Sequence, residues 1–287
     1  MRVVSYNIQF GRGRDGRNDL ARIAEAVRGA DLIALQEVER NWPRPCGPEM
    51  DQPAALSALL PGYHWVYGPA FDVDASQLLP NGRIDNRRRQ HGVMLLAKGP
   101  ILSFRPFALP RLDYGDQFNM QMGALEAVVA PGDVPLWVYV AHLGYLEEAE
   151  RLAQIDYLAQ EIARAPDQGG AWSGPSSPLE ASWTLDRPAP PMPASAIVLG
   201  DFNSQPDSAV YARLTGAMGL VDSRVAAGNS ANEGVTYLAN ADFPSATDKR
   251  IDYCFVTTDL AQQVAAAWID MAADGSDHQP IWVELAL

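Results

Sequence analysis

The sequence predicts a globular α+β protein whose strands end at a shared polar site. Short apolar runs, each followed by a polar residue, alternate with amphipathic segments and with long loops rich in Gly and Pro. The chain has 287 residues and is 47% hydrophobic, so it can bury a substantial core as one large domain or two small ones. No internal repeat is visible, which argues against a solenoid or a propeller.

The first elements establish this alternation. An apolar run over residues 3–6 predicts a strand that stops at Asn7. A second run over 32–35 stops at Gln36 and Glu37. Between them, the apolar residues recur at the i, i+3, i+4 and i+7 spacing of one helical face: Leu20, Ile23, Ala24 and Val27.

The central part continues the pattern. A strand is predicted around 93–97, after a basic loop over 83–89, and further strands over 123–129 and 136–141. The last of these strands ends at His142. An apolar helix face then consists of Leu152, Ile155, Leu158, Ala159 and Ile162.

A segment at about 166–195 interrupts the pattern. It is rich in Pro, Gly, Ser and Trp and shows no periodicity, so it is interpreted as an excursion loop that is mobile or forms a lid. Its residues Trp172 and Trp183 either form an apolar patch for a lipid or a base, or anchor the loop to the core.

The C-terminal part returns to strands that end in polar residues. The run over 196–199 leads into Gly200-Asp201-Phe202-Asn203, and a helix is predicted over 208–218. The alternating segment 251–256 predicts a strand that contains Asp252. Asp277 and His278 come just before a last strand over 281–285.

Charge and hydropathy limit the function classes. The net charge is −13 and the sequence pI is near 4.7, which weighs against tight binding of duplex DNA. The first residues do not resemble a signal peptide, and no apolar run is long enough to span a bilayer. We therefore expect a cytoplasmic protein.

The polar residues that follow the apolar runs are mostly oxygen donors, together with two histidines. Carboxylates and amides without cysteine suit Mg²⁺ or Mn²⁺ better than Zn²⁺. A metal and imidazoles are what phosphate-ester hydrolysis requires, because water must lose a proton and charge builds up on the phosphoryl oxygens. The set consists of Asn7, Glu37, His142, Asp201, Asn203, Asp252, Asp277 and His278.

Taken one at a time, these residues also have structural explanations. Asn7 and Glu37 could be cap or turn residues, and His142 could be a structural histidine. Turn formation accounts less well for Asp201 and Asn203, because they come directly after a buried-looking strand.

Six segments resemble, in order, the signature blocks of the endonuclease/exonuclease/phosphatase superfamily. This resemblance runs along essentially the whole chain. It implies a single domain over 1–287 with a DNase-I-like fold, a four-layer α/β/β/α sandwich of two packed mixed sheets with outer helices. The segments are Val4-Ser5-Tyr6-Asn7, Leu35-Gln36-Glu37-Val38, Ala141-His142-Leu143, Leu199-Gly200-Asp201-Phe202-Asn203, Arg250-Ile251-Asp252-Tyr253 and Ser276-Asp277-His278-Gln279-Pro280-Ile281.

The resemblance also implies a metal site. Glu37 would be the principal ligand, and Asn7 beside it would hold the metal or the phosphate. Asp201 and Asp277 would complete the set near the first metal or a second one. Mg²⁺ is the expected cofactor, with Mn²⁺ as the alternative.

The remaining residues take catalytic roles by the same resemblance. Asp201 would orient or deprotonate the attacking water, and Asn203 would donate hydrogen bonds to the phosphoryl oxygens. His278 would stabilise the transition state or exchange a proton, with Asp252 as the carboxylate that orients it. His142 would act as an acid toward the leaving oxygen or as a phosphate ligand.

One segment departs from the family pattern. Several relatives of the deoxyribonuclease type have a carboxylate that supports the equivalent of His142, whereas this region contains three arginines and His91. Arg88, Arg89 and His91 are therefore predicted to hold an anionic substrate group. The alternative is that the arginines belong to a solvated charged loop.

The His142-Leu143 pair places the sequence closer to the deoxyribonuclease, sphingomyelinase, deadenylase and inositol-phosphatase branches than to the abasic-site endonucleases. The leading hypothesis is a metal-dependent phosphodiesterase or phosphomonoesterase that acts on a small or lipid-like phosphate ester. Nucleic acid ranks second as a substrate because the chain is acidic. A nuclease for DNA or RNA is the first alternative, and an inactive binding module is the second.

Overall fold

A computed structural model of the chain describes residues 1–43, 49–132, 134–190, 192–239 and 246–287. Its strands are β1 (Arg2–Asn7), β2 (Leu32–Arg40), β3 (His64–Asp74), β4 (Gln77–Leu78), β5 (Ile84–Asp85), β6 (Arg88–Ala97), β7 (Ile101–Ala108), β8 (Gly123–Val129), β9 (Leu136–His142), β10 (Ala196–Asp201), β11 (Val221–Asp222), β12 (Asp252–Val256), β13 (Val264–Ile269) and β14 (Ile281–Leu285).

The helices are α1 (Leu20–Ala26), α2 (Gln52–Leu59), α3 (Glu148–Gln168), α4 (Ala181–Thr184), α5 (Ala209–Ala212), α6 (Ser223–Ala226) and α7 (Thr258–Ala261). A 3₁₀ turn covers Gln9–Gly11, and a π-helical turn over Arg213–Ala217 continues α5. In the described part of the chain, every helix is too short or too polar to cross a membrane.

Two mixed six-stranded sheets form the centre of the fold. The first has the order β13-β14-β1-β2-β6-β3 and the second the order β11-β12-β10-β9-β8-β7. The β1–β2 and β9–β10 pairs are parallel, whereas β1–β14 and β10–β12 are antiparallel. Short strands β4 and β5 form a separate hairpin beyond β3 and β6.

Three apolar clusters define the layers. The first lies between the sheets and joins residues such as Leu32 and Leu95 to Val138 and Ile197. On the outer face of the first sheet, α1 and α2 cover a second cluster, and on the outer face of the second sheet, α3 and α5 cover a third. This arrangement confirms the predicted four-layer α/β/β/α sandwich.

The sheets bring the predicted polar residues to one edge. Parallel neighbours end on the same side, so Asn7 lies next to Gln36 in register, and His142 lies next to Asp201. Asp252 begins the antiparallel β12 opposite Asp201. The site therefore lies where the two sheets face each other.

Unusual backbone conformations at or next to Glu37 and Asp201 help to position these two carboxylates. Glu37 has φ 57° and sits where the β2–β6 register shifts between Leu35 and Val38, so a bulge redirects its side chain. Gly200 has φ 144°, and a Cβ there would come 1.9 Å from the Ala141 carbonyl oxygen. Only glycine therefore lets β10 approach β9 closely just before Asp201.

The sequence missed several elements. Strands β3, β7, β11 and β13 and helix α2 were not predicted, and β6 begins at Arg88 instead of Val93, so the basic segment is partly strand. Helix α3 continues through Pro166 to Gln168, and α4 lies within 166–195. The prediction that this segment is a loop throughout was therefore wrong at its start, which belongs to α3, and at α4.

Candidate active site

A cavity of about 840 Å³ opens at the edge where the strand ends meet. Most of the predicted site residues line it, although they come from distant parts of the chain. They are Glu37, His91, His142, Asp201, Asn203, Asp277 and His278.

Asn7 lies behind the cavity and connects two of its carboxylates. Its Nδ2 donates to Glu37 Oε1 and to Asp201 Oδ2, each at 3.0 Å, and its Oδ1 accepts the backbone N–H of Gln9 at 3.0 Å. The side chain is fully buried and does not line the cavity. These contacts suit Asn7 to hold Glu37 and Asp201 relative to each other. Its role as a ligand of the metal or the phosphate stays a prediction.

Asp277 is held by neighbours from the first 3₁₀ turn and from its own loop. Gln9 Nε2 donates to Asp277 Oδ2 at 2.9 Å. The Ser276 hydroxyl donates to the Asn7 carbonyl oxygen at 2.8 Å and accepts the His278 N–H at 3.1 Å. These bonds tie the loop before β14 to the end of β1.

His278 is paired with the carboxylate that the resemblance implies. Its Nδ1 lies 2.8 Å from Asp252 Oδ2. The Thr236 hydroxyl oxygen accepts the backbone N–H of Asp252 at 3.0 Å, and the Tyr237 ring packs edge-on against the imidazole at 5.3 Å between centroids. Asp252 thereby leaves Nε2 of His278 facing the cavity.

Asp201 lies between two imidazoles. Its Oδ2 is 3.6 Å from Nε2 of His142 and 3.8 Å from Nε2 of His278. Its Oδ1 accepts the backbone N–H of Asn203 at 2.8 Å. Asn203 has φ 48° and donates from Nδ2 to the Leu143 carbonyl oxygen at 3.0 Å, which leaves its second Nδ2 hydrogen for another acceptor.

Burial and mutual charge shift the ionisation of this group. Burial raises the pKa of Glu37 and of Asp277, and burial together with the charge of Asp252 raises the pKa of Asp201. Burial alone lowers the pKa of His278, but the charge and hydrogen bond of Asp252 outweigh it and raise this pKa to about 10.

His142 behaves in the opposite way. Burial lowers its pKa, and the nearby charge of Glu37 offsets this only in part. The cavity thus holds one imidazole that favours the cationic form and one that favours the neutral form, both beside Asp201.

The donor set fits a hard divalent cation. Glu37, Asp201 and Asp277 bring carboxylate oxygens to one cavity, and burial disfavours their charged forms, which a bound cation would stabilise. Asp201, Asp252 and His278 also have ligand atoms within 4.8 Å of one another. In that second group, the contact with Asp252 already occupies Nδ1 of His278.

The structure does not bring the predicted arginines to the cavity. Arg88 Nε lies 2.8 Å from Asp72 Oδ1, and Arg89 Nη2 lies 2.9 Å from Glu49 Oε1. Neither arginine lines the cavity. Both guanidinium groups instead pair with acidic residues at the antiparallel β3–β6 strand pair, which we call the β3–β6 arm. His91 does line the cavity, with its ring 6.0 Å from that of His142.

The excursion segment is also separate from the cavity. None of its described residues, within 166–190 and 192–195, is among the cavity-lining residues. The side chain of Trp183 is 80% exposed, so it does not anchor the segment to the core.

Sequence reasoning missed two groups of residues at the site. Gln9, Thr236 and Tyr237 hold or contact the reactive side chains, but they follow no apolar run and form no spacing pattern. The second group consists of apolar side chains that line the cavity and are described below. They come from loops and from β3, which was not predicted. No signal in the sequence distinguishes these residues from ordinary core or surface residues.

Comparisons with solved structures show the same fold. The chain is similar to an endonuclease/exonuclease/phosphatase from Beutenbergia cavernae, with TM-score 0.70 and 22% identity over 99% of this chain and 70% of that one. It is similar to a mannosyl-6-phosphatase from Bacteroides thetaiotaomicron, with TM-score 0.62 and 18% identity over 100% of both chains. Truncated TDP2 from Caenorhabditis elegans has TM-score 0.58 and 16% identity over 98% of this chain and 95% of that one.

A search among curated proteins gives no match. A family model described as "Endonuclease/Exonuclease/phosphatase family" matches residues 4–278, which include every predicted site residue. Members of this family hydrolyse phosphate esters and depend on divalent metals. Because the family model matches nearly the whole chain, the chain belongs to the endonuclease/exonuclease/phosphatase family.

Proposed function

We propose that the chain is a Mg²⁺-dependent phosphoric ester hydrolase, with Mn²⁺ as the alternative ion, that acts on a small or lipid-like substrate. One observation carries the proposal: Asp201 Oδ2 lies within 3.8 Å of Nε2 of both His142 and His278, in a cavity that Glu37 and Asp277 also line. These side chains would supply a base, hydrogen-bond donors and metal-ligand oxygens to one small volume, which supports the proposal.

Glu37, Asp201 and Asp277 would hold the cation. When bound, it supplies a positive charge that stabilises the phosphoryl oxygens and makes water easier to deprotonate. Asn7 supports this function from behind, because its amide fixes Glu37 and Asp201 relative to each other.

The chain's own residues can move the protons of the reaction. Water adds to phosphorus and its proton passes to Asp201. The ester P–O bond breaks, and the leaving alkoxide takes a proton from solvent water to become the alcohol. The position of Asp201, with Oδ2 3.6 Å and 3.8 Å from the Nε2 atoms of two imidazoles, supports its role as the base. His278, cationic at neutral pH, donates from Nε2 to the phosphoryl oxygens while Asp252 holds Nδ1.

His142 and Asn203 complete the contacts. His142, whose pKa is lowered, is suited to donate a hydrogen bond as a neutral imidazole to the leaving or phosphoryl oxygen. Asn203 can direct its second Nδ2 hydrogen toward the phosphoryl group.

A nuclease is the second candidate. Arg12 and Lys249 line the cavity, and these two basic side chains could meet the phosphates of a strand end. The net charge of −13 ranks this candidate below a small substrate. Shortening of single-stranded DNA or RNA in Mg²⁺ or Mn²⁺ at low salt, without hydrolysis of small esters, would reverse the order.

The first experiment measures hydrolysis of nitrophenyl phosphate and bis-(nitrophenyl) phosphate with Mg²⁺, Mn²⁺ or a chelator. We expect metal-dependent turnover that His278→Asn abolishes. The matched control is His64→Asn, because His64 is exposed at the start of β3, away from the cavity. Turnover that survives chelation or His278→Asn contradicts the proposed mechanism, whereas metal-dependent turnover of either ester excludes the inactive binding module.

A further inference from the structure

Several apolar side chains line the cavity. We call six of them the aromatic wall: Trp42, Phe71, Phe118, Met120, Met122 and Tyr145. They lie in the same cavity as the reactive carboxylates and imidazoles. No catalytic or metal-binding role proposed above involves these six side chains.

The aromatic wall begins close to the reactive centre. Phe71 in β3 pairs in register with His91 in β6, and the His91 ring lies 6.0 Å from that of His142. Trp42 stacks on Phe71 with ring centroids 5.7 Å apart and an interplanar angle of 11°. Phe118 meets Phe71 edge-on at 6.4 Å, so the rings extend outward from the imidazole in a connected series.

The loop between β7 and β8, which carries Phe118, is held in place. Glu150 at the start of α3 is only 1% exposed, and its Oε2 accepts the Leu112 N–H at 2.7 Å and Asn119 Nδ2 at 2.6 Å. The Tyr145 hydroxyl donates to the Phe118 carbonyl oxygen at 2.8 Å. A ligand therefore meets a formed surface and loses less entropy on binding.

Exposure indicates that the aromatic wall is built for contact. The Phe118 side chain is 69% exposed and that of Tyr145 is 44% exposed, although hydrogen bonds fix the backbone that carries Phe118. Large apolar side chains in a cavity gain stability when an apolar group covers them. Met120 and Met122 also line the cavity, and methionine side chains adapt to the shape of a bound group.

The size of the cavity leaves room for such a group. About 840 Å³ corresponds to a pocket for a drug-sized molecule, and a phosphate group fills only a small part of it. The rest of the space must suit the alcohol portion of the ester. Its apolar lining favours a ring-sized apolar portion over a small or polyhydroxylated one.

We propose that the aromatic wall binds the alcohol portion of the substrate, and that this portion is an apolar ring-bearing group. The inference rests on the proposed phosphoesterase function and adds the class of ester that the site selects. Phe118, Met120 and Tyr145 would contact the ring, whereas Trp42 and Phe71 would support them from the β3 side.

The test compares kcat/KM for 2-phenylethyl phosphate, ethyl phosphate and mannose 6-phosphate. All three are esters of primary alcohols, so differences in leaving-group chemistry are small and the ratio reports binding of the alcohol portion. We expect 2-phenylethyl phosphate to exceed each of the other two by about 10-fold or more.

Phe118→Ala should lower kcat/KM for 2-phenylethyl phosphate about 10-fold more than for ethyl phosphate. This variant should fold, because the Phe118 side chain is mostly exposed. Phe104→Ala is the matched control, since Phe104 is a partly exposed phenylalanine on β7 that does not line the cavity. The control should leave the ratio of the two esters unchanged.

Three outcomes overturn the inference while the proposed function stands. They are equal hydrolysis of the ethyl and phenylethyl esters, preference for mannose 6-phosphate, and an equal effect of Phe118→Ala on both alkyl esters. Failure to hydrolyse any ester, including the nitrophenyl phosphates, overturns the proposed function and this inference with it.

Discussion

The reactive residues and the aromatic wall share one cavity but are positioned in different ways. Asp201, His142 and His278 are almost fully buried at strand ends or next to them, and hydrogen bonds of about 3 Å fix their surroundings. Phe118 and Tyr145 extend from loops and are largely exposed. The rigid sheet edge thus sets the reaction, and the loops around it set which ester fits.

If this division is correct, changing the reactive residues affects every ester alike. Asp201→Asn should lower kcat/KM by about 10²–10⁴-fold for ethyl and 2-phenylethyl phosphate equally, because the base that accepts the proton of water is lost. The control is Asp207→Asn, an exposed aspartate in the loop that follows the same strand. Steady-state kinetics on both esters measures the effect, and a loss confined to one ester would break the division.

The next largest effect concerns the cation. Glu37→Gln should weaken Mg²⁺ or Mn²⁺ binding at least about 10–100-fold, because a charged ligand oxygen is removed. Thermal unfolding over a metal titration measures this, since a cation at 100 times its Kd stabilises the fold by about 2.7 kcal/mol. Without metal, the variant should be more stable than the natural protein, because burial raises the pKa of Glu37 and the charged form is costly.

Glu25→Gln provides the comparison for this experiment. Glu25 lies on α1 and forms a surface ion pair with Arg28. Its loss should leave the metal-dependent stabilisation unchanged. An unaltered metal response in Glu37→Gln would show that the cation is held elsewhere, for example by Asp201, Asp252 and His278.

The same division explains what the sequence could predict. Asp201 and His142 follow buried strands, and strand ends converge by the geometry of parallel pairing, so local patterns located most of the reactive centre. The hydrogen bonds of Asn7 could not be predicted, because they join it to residues 30 and 194 positions away. Apolar runs are local, so they predicted several of the strands, whereas the packing of two sheets was predicted only from the resemblance to the family.

The aromatic wall could not be predicted for a physical reason. Phe71 belongs to β3, which is partly exposed along most of its length and therefore lacks a strong apolar alternation. Phe118 lies in a loop whose position depends on Glu150, 32 residues further along the chain. The arginines near His91 suggested a substrate contact, but carboxylates from β3 and from residue 49 pair with them.

A third prediction tests whether the loop between β7 and β8, which carries Phe118, contributes to the preference for one ester over another. Oε2 of Glu150 accepts two hydrogen bonds, from the Leu112 N–H and from Asn119 Nδ2. Glu150→Gln replaces this carboxylate by a neutral amide, so it should lower the free energy of unfolding by about 1–3 kcal/mol. The preference for 2-phenylethyl over ethyl phosphate should fall as the loop loosens. Denaturant unfolding and the ratio of the two kcat/KM values measure the two effects.

Glu161→Gln on the same helix is the matched control, because Glu161 pairs only with Arg164 one turn away among the described residues. A stability loss in Glu150→Gln without any change in the ester ratio would show that the loop does not set selectivity.

The smallest expected effect concerns Arg88, which the sequence analysis predicted to hold an anionic substrate group. Arg88 pairs with Asp72 and Asp74 on a partly exposed arm, with its Nε 2.8 Å and its Nη1 3.6 Å from their oxygens. Arg88→Gln should therefore change the free energy of unfolding by about 0.5 kcal/mol or less and kcat/KM by less than about 3-fold. A larger loss, confined to KM and to anionic esters, would mean that the β3–β6 arm folds over the bound substrate and that its charges belong to the site after all.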